Sequence, residues 1–505
     1  MIRKISREEK NPTKLYSLQT TDSDLRGQGR QPFFLGDSPE VVIITETTTL
    51  MAHLVDFSCD GARLASPLFD ETYVDSNIEI YCLGSERPIE AVVVNFSTTR
   101  FSGELMDQVG VKFIVQSSQV LRTKRFPSPK QFETLCYGPH PFKYNQTVYY
   151  QVVDFSAQGM TISTSNNTDL LLPGIRAYLN LVIPNHGIEQ VEVEVTHLTQ
   201  HQANQYHIGC YFHKPSTKML LGISSYLLAE HEEPASLTEL RDNAFLVSSD
   251  LTTVARCRYP SSKADSHKYL SLRLKAQQRE GRWLGEADIY KTLDCFDNKA
   301  RHLMITIGDR VVGIARLVFN DGDSDKSEHY SLAPIPQLLR EQGFIEASRF
   351  ATDPEYRSSN VFPLLMKHGF KVCINSDSAW VLANCEDSLV KIYKKIGAIN
   401  LGFKFKTEFM GDKNLNLMAF DVFSLCQGKG IGFLSWYYIF SDLLPLAESK
   451  GRLKLNPFRR FYLHVMKFLA KIIFYYRESY LIKKQLRKRA SVLDRELDST
   501  AELQK

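Results

Sequence analysis

The sequence predicts a multidomain fold: two small antiparallel β-barrels, then an α/β domain, then a helical C-terminal tail. Three observations predict it. A short motif recurs at a fixed interval, the order of strands and helices changes near residue 263, and the segment 426–505 carries a helical period.

The recurring motif is Val55-Asp56-Phe57-Ser58-Cys59-Asp60-Gly61, which returns 98 residues later as Val153-Asp154-Phe155-Ser156-Ala157-Gln158-Gly159. A second echo closes each copy. Gly110-Val111-Lys112-Phe113 follows Asp56 by 54 residues, and Gly209-Cys210-Tyr211-Phe212 follows Asp154 by 55. Two paired motifs in near register imply a duplicated domain. Short β-rich runs surround them, 41–44, 78–81 and 91–94 in the first copy, 148–153, 177–182 and 191–195 in the second. Several short strands between turns predict a barrel or sandwich for each copy. We place the first over 37–120 and the second over 121–230, after a polar arm at 1–36 and before a linker at 231–262.

Within the motif, an Asp and a Ser two apart at a strand end bond their own backbone or present a carboxylate and a hydroxyl together, and the Gly supplies a turn with positive φ. A plain strand-turn-strand corner needs no more than this. The first copy carries something further. Arg26-Gly27-Gln28-Gly29-Arg30 sets two guanidinium groups four residues apart on a glycine-rich arm, the second of them 26 residues before Asp56. Arginines so placed suit phosphates and guanine edges.

With Arg26, Arg30, Asp56, Ser58 and Gly61 in view, the first copy resembles a PilZ domain, the bacterial receptor module for cyclic di-GMP. The resemblance implies that Arg26 and Arg30 grip phosphates and guanines while Asp56, Ser58 and Gly61 line the barrel side of the ligand. The second copy departs from the pattern. Counting 98 forward gives Lys124 and Ser128, with Arg122 and Arg125 nearby, so it is expected to pack rather than bind.

From 263 to 425 the pattern is α/β. Tyr269 to Ala276 starts an amphipathic helix, and residues 303–317 read as a hairpin turning at Gly308-Asp309. Ile345 to Arg357 is a strand leading into a helix, Trp380 to Asn384 a strand, and Leu389 to Ile396 a helix stopped by Gly397. With Arg273, Asp294, Asp297, Gly313, Arg316-Leu317 and Glu346-x-Ser348-Arg349-Phe350, the segment is similar to the GNAT N-acyltransferases. The likeness is greatest to their acyl-carrier-protein branch, the acyl-homoserine-lactone synthases and N-acyl amino acid synthases.

That resemblance implies a fatty acyl group carried as an acyl-carrier-protein thioester and passed to an amine. GNAT enzymes that use coenzyme A cradle its pyrophosphate with small residues at a helix N-terminus. Here the segment is Arg357-Ser358-Ser359-Asn360-Val361-Phe362, which argues for a carrier protein as donor. Glu346 is the candidate base and Tyr393 the candidate acid. Arg273, Asp294, Asp297, Arg316 and Arg349 are expected to shape the acceptor pocket. The other reading of Glu346 and Arg349 is a simple pair that orders a strand. A non-catalytic cyclic di-GMP receptor with the α/β domain as an interaction platform is the competing function.

In the tail, Phe458, Phe461, Val465, Phe468, Ile472 and Tyr475 step by 3 and 4 and form one stripe. Between Arg452 and Arg489 there are twelve Lys or Arg and one acid, Glu478. The expected customers are an anionic membrane surface, an acidic carrier protein, a dimer seam, or the enzyme domain itself. A net charge of only +4 over 505 residues does not call for nucleic acid. Nine scattered cysteines with no C-x-x-C predict neither disulfide framework nor metal site, and with no apolar leader the expected location is cytoplasmic, peripheral on the inner membrane if the tail makes that contact.

Overall fold

The computed structural model describes residues 31–32, 38–58, 61–82, 85, 87–101, 104–114, 124–129, 133–165, 169–202, 205–230, 235–279, 289–320, 327–329, 334–376, 378–406 and 413–503. Arg26 and Arg30 lie outside the described residues. The chain divides into two compact units, one holding the first barrel and the other holding everything from residue 115 onward.

The first barrel has strands β1 (Gln31–Pro32), β2 (Glu40–Ile44), β3 (Thr49–Phe57), β4 (Gly61–Ala65), β5 (Asn77–Tyr81), β6 (Ile89–Phe101) and β7 (Glu104–Phe113). Six of them run in the order β3-β2-β5-β6-β7-β4, and β4 pairs back onto β3, so the sheet closes; β1 is added outside on β3. Alternate residues point inward, as a period of two requires. Val41, Ile43, Leu50, Ala52, Leu54, Ile78, Ile80, Ala91 and Val93 fill the interior. Closure leaves no unpaired edge within the ring.

In the other unit the arrangement recurs with β8 (Phe126–Pro127), β9 (Leu135–Pro139), β10 (Thr147–Phe155), β11 (Gly159–Thr164), β12 (Arg176–Ile183), β13 (Gly187–Gln202) and β14 (Gln205–His213). The ring is β10-β9-β12-β13-β14-β11, closed by β11 on β10, with β8 outside on β10. The two echoes seen in sequence are neighbours in space. Gly61 sits opposite Lys112 and Gly159 opposite Tyr211. This gives the motif glycine a different reason from the positive φ expected of it. Neither Gly61 nor Gly159 has positive φ. A Cβ on Gly61 would lie 2.1 Å from the Val111 carbonyl oxygen, and one on Gly159 would lie 2.0 Å from that of Cys210. Glycine is there because another backbone passes too close for any side chain.

After helices α1 (Thr217–Ala229) and α2 (Leu237–Asp242), the α/β domain comprises β15 (Ala255–Arg258), α3 (Lys263–Arg279), β16 (Ala300–Ile307), β17 (Arg310–Asn320), α4 (Gln337–Gln342), β18 (Phe344–Thr352), α5 (Val361–Asn375), β19 (Trp380–Glu386), α6 (Val390–Lys395), β20 (Ile399–Phe405) and β21 (Leu415–Asp421). The sheet order is β15-β16-β17-β18-β19-β21-β20. Among the described residues of this sheet, only β18 and β19 pair in parallel. The predicted hairpin is β16-β17, its turn held by Gly308 at φ +54°. Helix α3 buries Tyr269, Leu270 and Leu272 against Met304, Val311 and Ile314 of that hairpin.

The tail forms α7 (Val422–Cys426), α8 (Phe433–Ile439), α9 (Leu444–Ser449) and the 47-residue α10 (Pro457–Leu503). Helix α10 docks through a face other than the stripe read from sequence. Leu463 and Ala470 are buried, the Phe474 ring lies 5.4 Å from both Tyr437 and Tyr438, and Arg459 donates to the Gln427 carbonyl. Farther along, Glu478 accepts from Ser248 and Ser249, Gln485 bonds both the N–H and the carbonyl of Val247, and Arg489 donates to the Ala157 carbonyl of the second barrel. Among the described residues, no helix is long and apolar enough to cross a membrane.

Candidate active site and nucleotide site

The parallel register of β18 and β19 runs from Phe344 with Trp380 to Ala347 with Ala383 and then stops. Beyond it the strands splay. On its other side β18 carries a bulge. Arg316 pairs with Ser348 and Ile314 with Ala351, so Ala315 alone faces both Arg349 and Phe350. Arg349 adopts φ +54°, an uncommon conformation for a side-chain-bearing residue and one of the kinds that gather at functional sites. The bulge and the splay lie side by side.

Glu346, on the same strand, is completely buried. Its carboxylate accepts from the Ser327 hydroxyl and from the backbone N–H of Glu328 at 2.6 Å, and Nδ1 of His329 lies 3.3 Å from it. His329 is also completely buried, and its Nε2 lies 3.2 Å from the amide of Asn384. Burial pulls the His329 pKa down, but the adjacent Glu346 carboxylate and the charge of Glu328 outweigh that and hold it above its ordinary value. The expectation that Glu346 and Arg349 simply pair is not met, because Arg349 reaches Asp294 at 2.8 Å instead. Sequence reading missed His329 and Ser327. They stand on a connection without periodicity, and only the tertiary fold brings them to Glu346.

The five predicted acceptor-side residues do come together. Arg316, with no exposed surface, lies 2.5 Å from Asp294, 3.2 Å from Asp297 and 2.8 Å from Glu328, and donates to Ser348 Oγ at 3.0 Å. Arg273 holds Asp297 at 2.8 Å and Asp294 at 3.7 Å. Three guanidiniums thus face three carboxylates, Glu328 being the member that the sequence did not flag. Burial alone would raise the Asp294 pKa, yet Arg316 and Arg349 hold it far below the usual carboxylate range. Asp294 is the most exposed of the six side chains, at 27%. Removing any one member leaves a buried charge without its partner, which is why such clusters are intolerant of single changes.

An apolar crevice opens where the strands splay. It is lined by Leu317, Ala347, Phe350, Val381, Ala383 and Tyr393, with Met366, Gly369, Phe370 and Cys373 of α5 across from them. Its volume of about 20 Å³ is room for little more than one water, and its walls include the flexible Met366. Tyr393 is the polar group of this lining. Burial, with a smaller contribution from Cys385, raises its phenol pKa well above the ordinary value and keeps it protonated. At the N-terminus of α5, Asn360 does not leave the helix open to a phosphate. Its side chain accepts from the Leu251 N–H at 2.8 Å and donates to Asp250 at 2.5 Å, with Thr252 and Tyr438 also in reach.

In the first barrel, Asp56 is buried and lies 3.6 Å from the Arg63 guanidinium, and Ser58 bonds the Gly61 carbonyl through its N–H at 2.7 Å and its hydroxyl at 3.3 Å. Gln31 and Pro32 pair with Phe57 and Asp56. In the second barrel, Phe126 and Pro127 pair with Phe155 and Asp154 in the same way. The residue before Gln31 is Arg30, and the residue before Phe126 is Arg125. Register therefore corrects the simple count of 98, because Arg125, not Ser128, is the counterpart of Arg30. Its guanidinium donates to Asp154 at 2.7 Å and to Thr161 at 2.6 Å.

Residues 271–421 match the family model of the N-acyl amino acid synthase FeeM. No curated protein matches the chain. Among solved structures, the chain is similar to FeeM, an N-acyl amino acid synthase from uncultured soil microbes, at 12% identity over 39% of this chain and 97% of that one, TM-score 0.28. It is similar also to MesI, a coenzyme-A-dependent acyl-homoserine lactone synthase, at 18% over 33% and 88%, TM-score 0.27. A third is Escherichia coli YcgR in complex with cyclic di-GMP, at 14% over 36% and 79%, TM-score 0.17. At such scores these likenesses support no argument, and the fold stands on the strand pairings themselves. The chain thus joins two closed six-stranded barrels with PilZ-like motifs to an α/β domain resembling GNAT acyltransferases.

Proposed function

We propose that the chain is a cyclic di-GMP-binding N-acyltransferase, whose α/β domain moves a fatty acyl group from an acyl-carrier-protein thioester to an amine. The observation that carries this reading is the buried Glu346 carboxylate on the strand whose bulge borders the apolar crevice. In the reaction the amine nitrogen bonds the thioester carbonyl carbon and the C–S bond breaks. The nitrogen loses a proton and the departing sulfur gains one. Glu346 takes the first proton, with His329 and Ser327 fixing its carboxylate, and the protonated Tyr393 phenol supplies the second. Backbone N–H groups that the bulge releases from the ladder suit the oxyanion of the tetrahedral intermediate. The paired cluster around Asp294 borders the acceptor's place.

A carrier-protein donor is supported by Asn360, because the start of α5, where a coenzyme A pyrophosphate would be expected, is taken by Asp250, Thr252 and Tyr438. The same feature, with the narrow crevice, favours the second reading, a receptor whose α/β domain is a non-catalytic platform. Lipid extracts of cells overproducing the chain or its Glu346→Gln form separate the two. New N-acyl amines with the unaltered chain, reduced roughly a hundredfold in the variant, are expected of catalysis. Identical extracts leave only the platform. Nucleotide on the first barrel, through Arg26, Arg30, Asp56, Ser58 and Gly61, alters activity only by favouring one arrangement of the chain over another.

A further inference from the structure

The stripe that sequence periodicity drew along the tail faces away from the protein. Phe458 is 79% exposed, Phe461 68%, Phe468 64% and Tyr475 71%, with Tyr476 and Tyr480 beside them. From Phe458 to Tyr480 this surface runs along about 33 Å of helix. Monomeric proteins rarely leave so long an apolar surface bare, and one this extended marks a contact site. The docked face of α10 is complete without it, through Leu463, Ala470, Phe474, Glu478 and Gln485. The exposed aromatic rings of the stripe are not among those contacts.

Charge says what covers it. Lys471, Arg477, Lys483 and Lys484 are exposed alongside the stripe. The one acid between Arg452 and Arg489, Glu478, is turned inward onto Ser248 and Ser249. The outward surface is therefore apolar along its middle with exposed cations beside it, while Asp442 and Glu448 of the preceding segment pair with Lys467 and Arg460. A second copy of α10 would bring these flanks against each other, like charge to like. An interfacial helix needs this pattern: aromatic rings entering the headgroup boundary and lysines meeting anionic lipid.

We propose that α10 seats the protein on an anionic lipid bilayer, lying in the plane of the surface with Phe461, Phe468, Ile472 and Tyr475 inserted. This would place an enzyme that makes fatty N-acyl products at the phase where such products collect, and it extends the proposed function without depending on it. The test is flotation of the full-length chain with phosphatidylglycerol–phosphatidylethanolamine vesicles and with pure phosphatidylcholine vesicles. Binding is expected to the first and to be at least about tenfold weaker to the second, and to weaken as salt rises. Phe461→Ser with Phe468→Ser and Tyr475→Ser should lower binding about tenfold or more, and so should Lys471→Gln with Arg477→Gln and Lys483→Gln. All six side chains are exposed, so the far-ultraviolet circular dichroism and the thermal unfolding midpoint should stay unchanged and serve as the check on folding. Equal flotation of both variants and the unaltered chain would overturn the proposal. So would a vesicle-free dimer that the aromatic variant dissociates, or binding to acidic carrier protein alone.

Discussion

The two barrels are the same strand plan with different surroundings at the motif. In both, an Asp-x-Ser-x-x-Gly strand end runs against a Gly-x-x-Phe strand so closely that only glycine fits. In both, a two-residue strand immediately after an arginine pairs with the Asp of the motif. The difference is in what surrounds the carboxylate. The second barrel has Thr161 where the first has Arg63, and with that smaller neighbour its own Arg125 folds down onto Asp154. Its motif is then covered by Arg489 of α10 on the Ala157 carbonyl. The duplication thus teaches that one strand plan gives its motif carboxylate different partners, Arg63 from the next strand in the first copy and Arg125 from the added strand's edge in the second.

The largest expected effect tests what the barrels share. Gly61→Ala and Gly159→Ala each push a methyl into a backbone carbonyl, so each should lower stability by about 3 kcal/mol in urea unfolding. A cost near zero for either would break the equivalence of the two copies. The next effect tests what they do not share. Asp154→Ala releases Arg125 and should cost about 1 kcal/mol of stability, since the pair is partly exposed, with no change in nucleotide affinity. Asp56→Ala should instead weaken cyclic di-GMP binding roughly tenfold in calorimetric titration.

A smaller effect sets two histidines of the second barrel against His329 of the α/β domain. Burial lowers the pKa of His197 and His207 below 6.5. The unfolded chain then binds more protons, and their contribution to stability is lost as pH falls below 6.5. His329 has the opposite sign. Its folded pKa is raised, so its contribution is full below 6.5 and is lost as pH rises through the folded value. In unfolding measured from pH 5 to 8, His329→Gln should reduce the decline above pH 6.5 and leave the acid limb in place. A decline undiminished in the variant would remove His329 from its ion pair with Glu346.

Much of this architecture was legible in the sequence because it is periodic. The barrels followed from motif spacing and alternation, and the hairpin from Gly308-Asp309. Arg273, Asp294, Asp297, Arg316 and Arg349 were found by resemblance, and the fold gathers all five into one cluster. What sequence did not disclose depends on contacts across long separations. Glu328, His329 and Ser327 lie on an aperiodic connection. The role of Gly61 comes from Val111, 50 residues on, and the partner of Arg30 in the second copy emerges only from pairing register. For the tail, periodicity located the stripe but could not say which way it faced, because two apolar faces share one helix.

The claim that the first barrel alone binds nucleotide is tested most directly by titrating cyclic di-GMP into the full-length chain and into its Arg30→Ala and Arg125→Ala forms. The account predicts saturable binding that Arg30→Ala weakens about a hundredfold and Arg125→Ala leaves within about twofold. Binding that survives Arg30→Ala but fails in Arg125→Ala would contradict it.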